Sequence, residues 1–156
     1  MSTLETRNDP LEHGDLSALI CIDEPELQAV VIDQLTQLGF ALHTGLFPEE
    51  VAVRLRARTY EIIVISETFC GGDVHTNPAL HELNALGLDQ RRGSYAILIG
   101  ENMESRSEMQ AFIYSVDLTL QTADAANLKA IAGSGIVRHE ESYATFHGVR
   151  KSVRNA

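Results

Sequence analysis

Two continuous apolar runs constrain this chain more than any other feature. Ala18-Leu19-Ile20-Cys21-Ile22 leads into Asp23-Glu24-Pro25, and Ile62-Ile63-Val64-Ile65, preceded by Tyr60-Glu61, leads into Ser66-Glu67. Unbroken apolar stretches of this length that end in polar loops read as strands covered on both faces, because a strand with one wet face alternates instead. Helical patterns separate them. Leu27, Val30, Val31, Leu35 and Leu38 form a stripe at helical spacing that Gly39 would stop. Ala41 to Thr44 reads as a short second strand. Pro48-Glu49-Glu50 then opens a second helix, with proline and acids where a first turn tolerates them. Val51 and Leu55 give that helix an inner face, and Arg54, Arg56 and Arg58 an outer one.

The alternation continues. A polar loop over residues 67–77 follows the third strand, and helical spacing returns over 78–88 before Arg91-Arg92-Gly93 turns the chain. Residues 95–99 read as a fourth strand and 118–120 as a fifth. Between them a fourth helix over 106–116 places Met109, Phe112, Ile113 and Val116 on one side. From Ala123-Asp124 onward the pattern is helical. Five strand–helix alternations predict an α/β fold: a five-stranded parallel sheet with right-handed crossovers and helices on both faces. Ligands of such sheets sit at the carboxyl edge of the strands.

Residues 1–15 are polar and read as a loose arm, which leaves 16–156 as a single domain with an extended C-terminal helix. Leu128, Ile131, Ala132 and Ile136 suit packing on the sheet, with a kink expected near Gly133 and Gly135. Tyr143, Phe146, Val149 and Val153 continue an apolar stripe beside Arg150, Lys151 and Arg154.

Charge narrows the partners. The net charge is −10, and the first fifty residues set ten acids against Arg7 alone. An acidic body argues against nucleic acid and against anionic membrane, and the weakly basic tail is too short to reverse that. The polar N-terminus has no apolar signal core and no run reaches membrane-spanning length, so the expected compartment is the cytoplasm. With two cysteines there is no disulfide framework; Cys21 reads as a small core residue.

The order and spacing of these elements over residues 19–129 resemble a response-regulator receiver domain. That resemblance implies a flavodoxin-like strand order, 2-1-3-4-5, and a phosphoryl-transfer site at the sheet edge. Acids after the first strand hold Mg²⁺, an aspartate after the third attacks phosphorus, and a hydroxyl after the fourth and a lysine after the fifth contact the phosphoryl oxygens. Asp23-Glu24-Pro25 is the closest local match, and it implies that Asp23 is one such acid. Ile22 stands where a second acid is usual, Ser66 at the acceptor position, Ile99 or Gly100 at the hydroxyl, and Gln121, followed by Thr122, at the lysine. One expected group of five remains, and four such replacements together indicate a lost function. A register slip of one would make Glu67 the acceptor, and an atypical Mg²⁺-dependent phosphoacceptor using Asp23, Glu24 and Glu67 is the alternative reading. A plainer role for Asp23 and Glu24 is a solvated turn capping the first helix.

The second half is similar to uncharacterised bacterial receiver-like domains often attached to a zinc ribbon. The matching segments are Phe69-Cys70-Gly71-Gly72-Asp73, Asn77-Pro78, Asn102-Met103 and residues 112–118. No Cys-x-x-Cys pair supplies the ribbon here.

Other constellations are weaker. Cys70, Asp73, His75 and His81 have metal-ligand chemistry at spacings that match no zinc motif, and a polar loop is the expected reading. Gly71-Gly72 lacks the lysine and hydroxyl of a phosphate loop, and no Ser-His-Asp set can be placed. His43 reads as a surface residue. The expectation is therefore a non-catalytic pseudo-receiver without cofactor or metal. It would contact a protein partner or a second copy through Phe112, Tyr114, Tyr143 and Phe146.

Overall fold

The computed structural model describes residues 16–139 and 141. Five strands, β1 (Ser17–Cys21), β2 (Ala41–Thr44), β3 (Ile62–Ser66), β4 (Tyr95–Gly100) and β5 (Leu118–Gln121), form one parallel sheet in the order β2-β1-β3-β4-β5. The predicted order is the observed one. The arm over residues 1–15 and the tail that carries Tyr143 and Phe146 lie outside the described residues.

Side chains leave a strand alternately to its two faces, so each buried strand feeds two cores. Ala18 and Ile20 of β1 join Ile62, Val64, Ile97 and Ile99 on the face covered by α1 (Pro25–Gln37) and the C-terminal helix α6 (128–139). Leu19 and Cys21 join Ile63, Ile65, Ala96 and Leu98 on the other face. That second face is covered by α2 (Pro48–Ala57) and α3 (Pro78–Asn84). Burial on both faces is why these strands carry no polar alternation.

The helix over 78–88 is in fact two. The chain leaves helical geometry after Asn84, and Gly87, extended at φ −61°, ψ 153°, caps a separate five-residue turn, α4 (Leu88–Arg92). Arg91 and Arg92 are thus helical, and the turn follows at Gly93. The helix expected over 106–116 shortens to α5 (Glu108–Tyr114), since Arg106 has φ +62°, Ser107 is the cap and Ser115 is left-handed. A 3-10 segment (Thr122–Asn127) precedes α6, which runs unbroken through Gly133 and Gly135. Glycine at 135 answers a close approach instead of a kink: a Cβ there would lie 2.5 Å from Tyr95 Oη.

His43 is a core-edge residue, 6% exposed, with Nδ1 2.7 Å from the Tyr60 hydroxyl. Its position on β2 points it inward, which a polar identity alone does not reveal. Among the described residues no helix is long and apolar enough to cross a membrane.

Candidate functional site

The strand order reverses at β1, whose neighbours are β2 on one side and β3 on the other. The loops leaving β1 and β3 therefore part and open a crevice at the carboxyl edge. Glu24 and Ser66 meet there. Glu24 occupies the cap position of α1 without capping it; its side chain turns across to β3 instead. Ser66 Oγ donates to the two Glu24 oxygens at 3.0 and 3.2 Å, and Thr68 Oγ1 donates to one of them at 3.0 Å. Burial raises the Glu24 carboxyl above its ordinary pKa, and the adjacent Asp23 side chain pushes the same way, against the two hydroxyls. Asp23 does not cap the helix either: its Oδ2 accepts the Cys70 backbone N–H at 2.8 Å and ties the loop after β3 to the end of β1.

The neighbouring Glu67 side chain is turned the other way, toward β4. It is 6% exposed, and its oxygens accept from Asn102 N at 3.1 Å and Asn102 Nδ2 at 3.0 Å. Its path crosses Gly100 so closely that a Cβ at position 100 would lie 2.1 Å from Glu67 Oε1 and 2.4 Å from Glu67 Cβ. A side chain at 100 and the observed Glu67 exclude one another. At Gly100, one of the two positions where the resemblance expects a hydroxyl, the space is therefore taken by a carboxylate from the loop after β3.

Asn77 fixes both residues from below. Its Nδ2 donates to the carbonyls of Ser66 (2.7 Å) and Glu67 (3.2 Å), while Oδ1 accepts from Ala79 N and Leu80 N to cap α3. At the far side Gln121 caps the 3-10 segment by accepting from Ala123 N, and its Nε2 donates to the Glu101 carbonyl at 3.3 Å.

Glu24, Ser66, Thr68, Glu67, Gly100 and Asn102 line a cleft of about 580 Å³. Glu24, Glu26, Glu67 and Glu101 supply its charged groups and Leu27, Val30 and Ala126 part of its apolar wall; among the described residues neither lysine nor arginine lines it. A phosphoryl group brought here would meet carboxylates, with no lysine or arginine of the described lining to offset them, an unfavourable arrangement at any protein dielectric.

The structure thus brings Glu24 and Ser66 together, sets Asp23 and Gln121 to backbone tasks, and buries Glu67 against Asn102. Cys70, His75 and His81 stay exposed and apart; Asp73 accepts from His75 N and Thr76 N within its own turn. Among the described residues no three or more His, Cys, Asp or Glu side chains are arranged to hold a metal ion. Of the interaction candidates, Phe112 is 86% exposed and Tyr114 half-buried, while Tyr143 and Phe146 lie outside the described residues. Residue-by-residue reading missed the anchoring role of Asn77, although Asn before Pro at a helix start is a cap signal. It also missed the Glu67–Gly100–Asn102 contact, which no local pattern encodes.

No protein-family model and no curated protein matches the chain. Solved structures do. A candidate response regulator from Chloroflexus aurantiacus is 12% identical, with a TM-score of 0.57 over 76% of this chain and 98% of its own. The signal receiver domain of an HD domain-containing protein from Pseudomonas fluorescens is 15% identical, with a TM-score of 0.59 over 88% of this chain and 96% of its own. A response regulator from Burkholderia pseudomallei, solved with a phosphorylated aspartic acid and a calcium ion, is 14% identical, with a TM-score of 0.57 over 91% and 76%. Taken with the strand order and the crevice at the β1–β3 switch, these likenesses give the chain the fold of the response-regulator receiver domain.

Proposed function

We propose that this chain is a non-catalytic pseudo-receiver, unphosphorylated at Ser66, that serves bacterial signalling as a protein–protein interaction module. The observation that carries the reading is the wall of the cleft. Ser66 is committed to Glu24, Glu67 takes the space over Gly100, and four glutamates line the opening with no lysine or arginine beside them among the described residues. Serine forms no acyl phosphate, and a neutral Gln121 engaged at Glu101 supplies no charge to a phosphoryl oxygen. Glu67 is poorly placed to act instead, since both of its oxygens face Asn102 in a buried position.

The contact surface of this reading is α5. Met109, Phe112 and Ile113 are 75%, 86% and 59% exposed on one short helix, a density of bare apolar side chains that favours a protein partner or a second copy. The test is incubation with Mg²⁺ and acetyl phosphate, followed by intact mass. The mass is expected to stay unchanged; addition of one phosphoryl group, mapped to Ser66 or Glu67, would overturn the proposal.

A further inference from the structure

Helix α5 buries none of its seven residues. Only Ala111 and Tyr114 touch the core, each partly. A helix this short has no stability of its own, so its place is set by what holds its two ends. At the C-terminal end, Arg91 Nη2 donates to the Ser115 carbonyl at 3.1 Å. At the N-terminal end there are two holds. Buried Thr119 of β5 accepts from Arg106 N at 2.9 Å and Ser107 N at 3.1 Å and donates to the Glu104 carbonyl at 2.6 Å. The second hold is a chain of polar contacts that begins inside the cleft. Glu67 accepts from Asn102 N and Nδ2. The Asn102 carbonyl accepts from Gln110 Nε2 at 3.2 Å, and Gln110 Oε1 accepts from Glu104 N at 2.7 Å. Gln110 is a residue of α5 itself, and its backbone N–H is capped by Ser107 Oγ at 3.2 Å.

We infer that Glu67 is a positioning residue of α5: its buried carboxylate, acting through Asn102 and Gln110, adds to the Thr119 hold and sets how the exposed face of Met109, Phe112 and Ile113 is presented. The importance of that face rests on the interaction reading above, but the coupling from cleft to helix does not. Three features make Glu67 the origin of the chain. Its carboxylate is fixed over Gly100, where no alternative side chain competes for the space. Its backbone is pinned from both sides, by its own N–H on the Ile99 carbonyl and by Asn77 on its carbonyl. Both of its acceptors go to one residue of the β4–α5 connection, and hydrogen bonds to a charged acceptor are the stronger kind.

Amide hydrogen exchange on the full chain tests this. Glu67→Ala and Gln110→Ala should each speed exchange at residues 111–116 by about ten- to hundredfold while α1 and β1 stay at wild-type rates. Glu67→Gln keeps a carbonyl for the Asn102 N–H and should restore most of the protection. A general loss of stability would instead speed every element together. Unchanged α5 amides in Gln110→Ala, or a uniform acceleration, would overturn the inference. If Glu67→Ala does not fold, Gln110→Ala and Glu67→Gln decide it alone. The measurement uses the protein without any partner, so its failure is distinct from failure of the interaction reading.

Discussion

Gly100→Ala is the sharpest perturbation available at the cleft. Gly100 closes β4 with an ordinary backbone, so alanine introduces no conformational strain there, and any effect comes from contact alone. The new methyl would meet Glu67 Oε1 at 2.1 Å, Cβ at 2.4 Å and Cδ at 2.9 Å. Rotating Glu67 about its side-chain bonds relieves the first and third contacts but leaves the second, because Cβ moves only with the backbone. Two costs follow. Overpacking and the backbone shift amount to about 1–3 kcal/mol. Swinging the carboxylate away from Asn102 loses hydrogen bonds to a charged group and strands a buried acceptor, about another 2–3 kcal/mol. The sum, about 3–6 kcal/mol, is a large part of the stability of a domain this size. Urea denaturation followed by circular dichroism measures it, and the Glu67→Gly background isolates the cause. With the opposing side chain gone, Gly100→Ala should cost under about 1 kcal/mol, a coupling of several kcal/mol between the two sites. A cost below about 1 kcal/mol in the wild-type background, or the same cost in both backgrounds, would refute the reasoning.

Asn77→Ala removes the cap of α3 and the donor shared by the Ser66 and Glu67 carbonyls, so stability should fall by roughly 2–4 kcal/mol in the same urea assay. The Glu24 carboxyl is raised above its ordinary 4.5, so the folded chain binds more protons than the unfolded one between those two values. Glu24 therefore makes stability fall as pH rises through that window. Glu24→Gln should remove that fall, visible as a flatter plot of melting temperature against pH; parallel plots would contradict the assignment. Phe112→Asp places a charge on the bare face of α5 and should abolish any concentration-dependent self-association seen by sedimentation velocity, leaving melting temperature within a few degrees of wild type. Association that persists in the variant would remove α5 from the contact surface.

The strands were legible because the signals are local and repeated, while their order followed from the resemblance to receiver domains. β1 and β3 are continuous apolar runs only because both of their faces are buried, and five such alternations admit few arrangements once crossovers are right-handed. Cys21 as a core residue follows from the same logic, as does Ser66 at the end of β3. Helix boundaries were less legible where capping chemistry overrode apolar spacing: Ser107 and Ser115 trim α5, and Gly87 divides α3 from α4. The stripe expected from Met109, Phe112, Ile113 and Val116 divides: the first three are exposed on α5, whereas Val116 falls beyond the helix end and is buried in the core, because the left-handed Ser115 breaks the helical spacing between them.

By itself, then, the sequence determined the α/β alternation and the parallel sheet; the resemblance to receiver domains added the expectation that four of five groups at its edge are replaced. Only the tertiary structure decided what the remaining residues do. Residues 24 and 66, 67 and 100, and 67 and 102 are far apart in the chain, and whether they meet depends on how the loops after β1, β3 and β4 converge. A carboxylate buried against a glycine and an asparagine has no periodicity and no motif. It exists because parallel strands deliver their carboxyl ends to one edge, where distant side chains must share the same space.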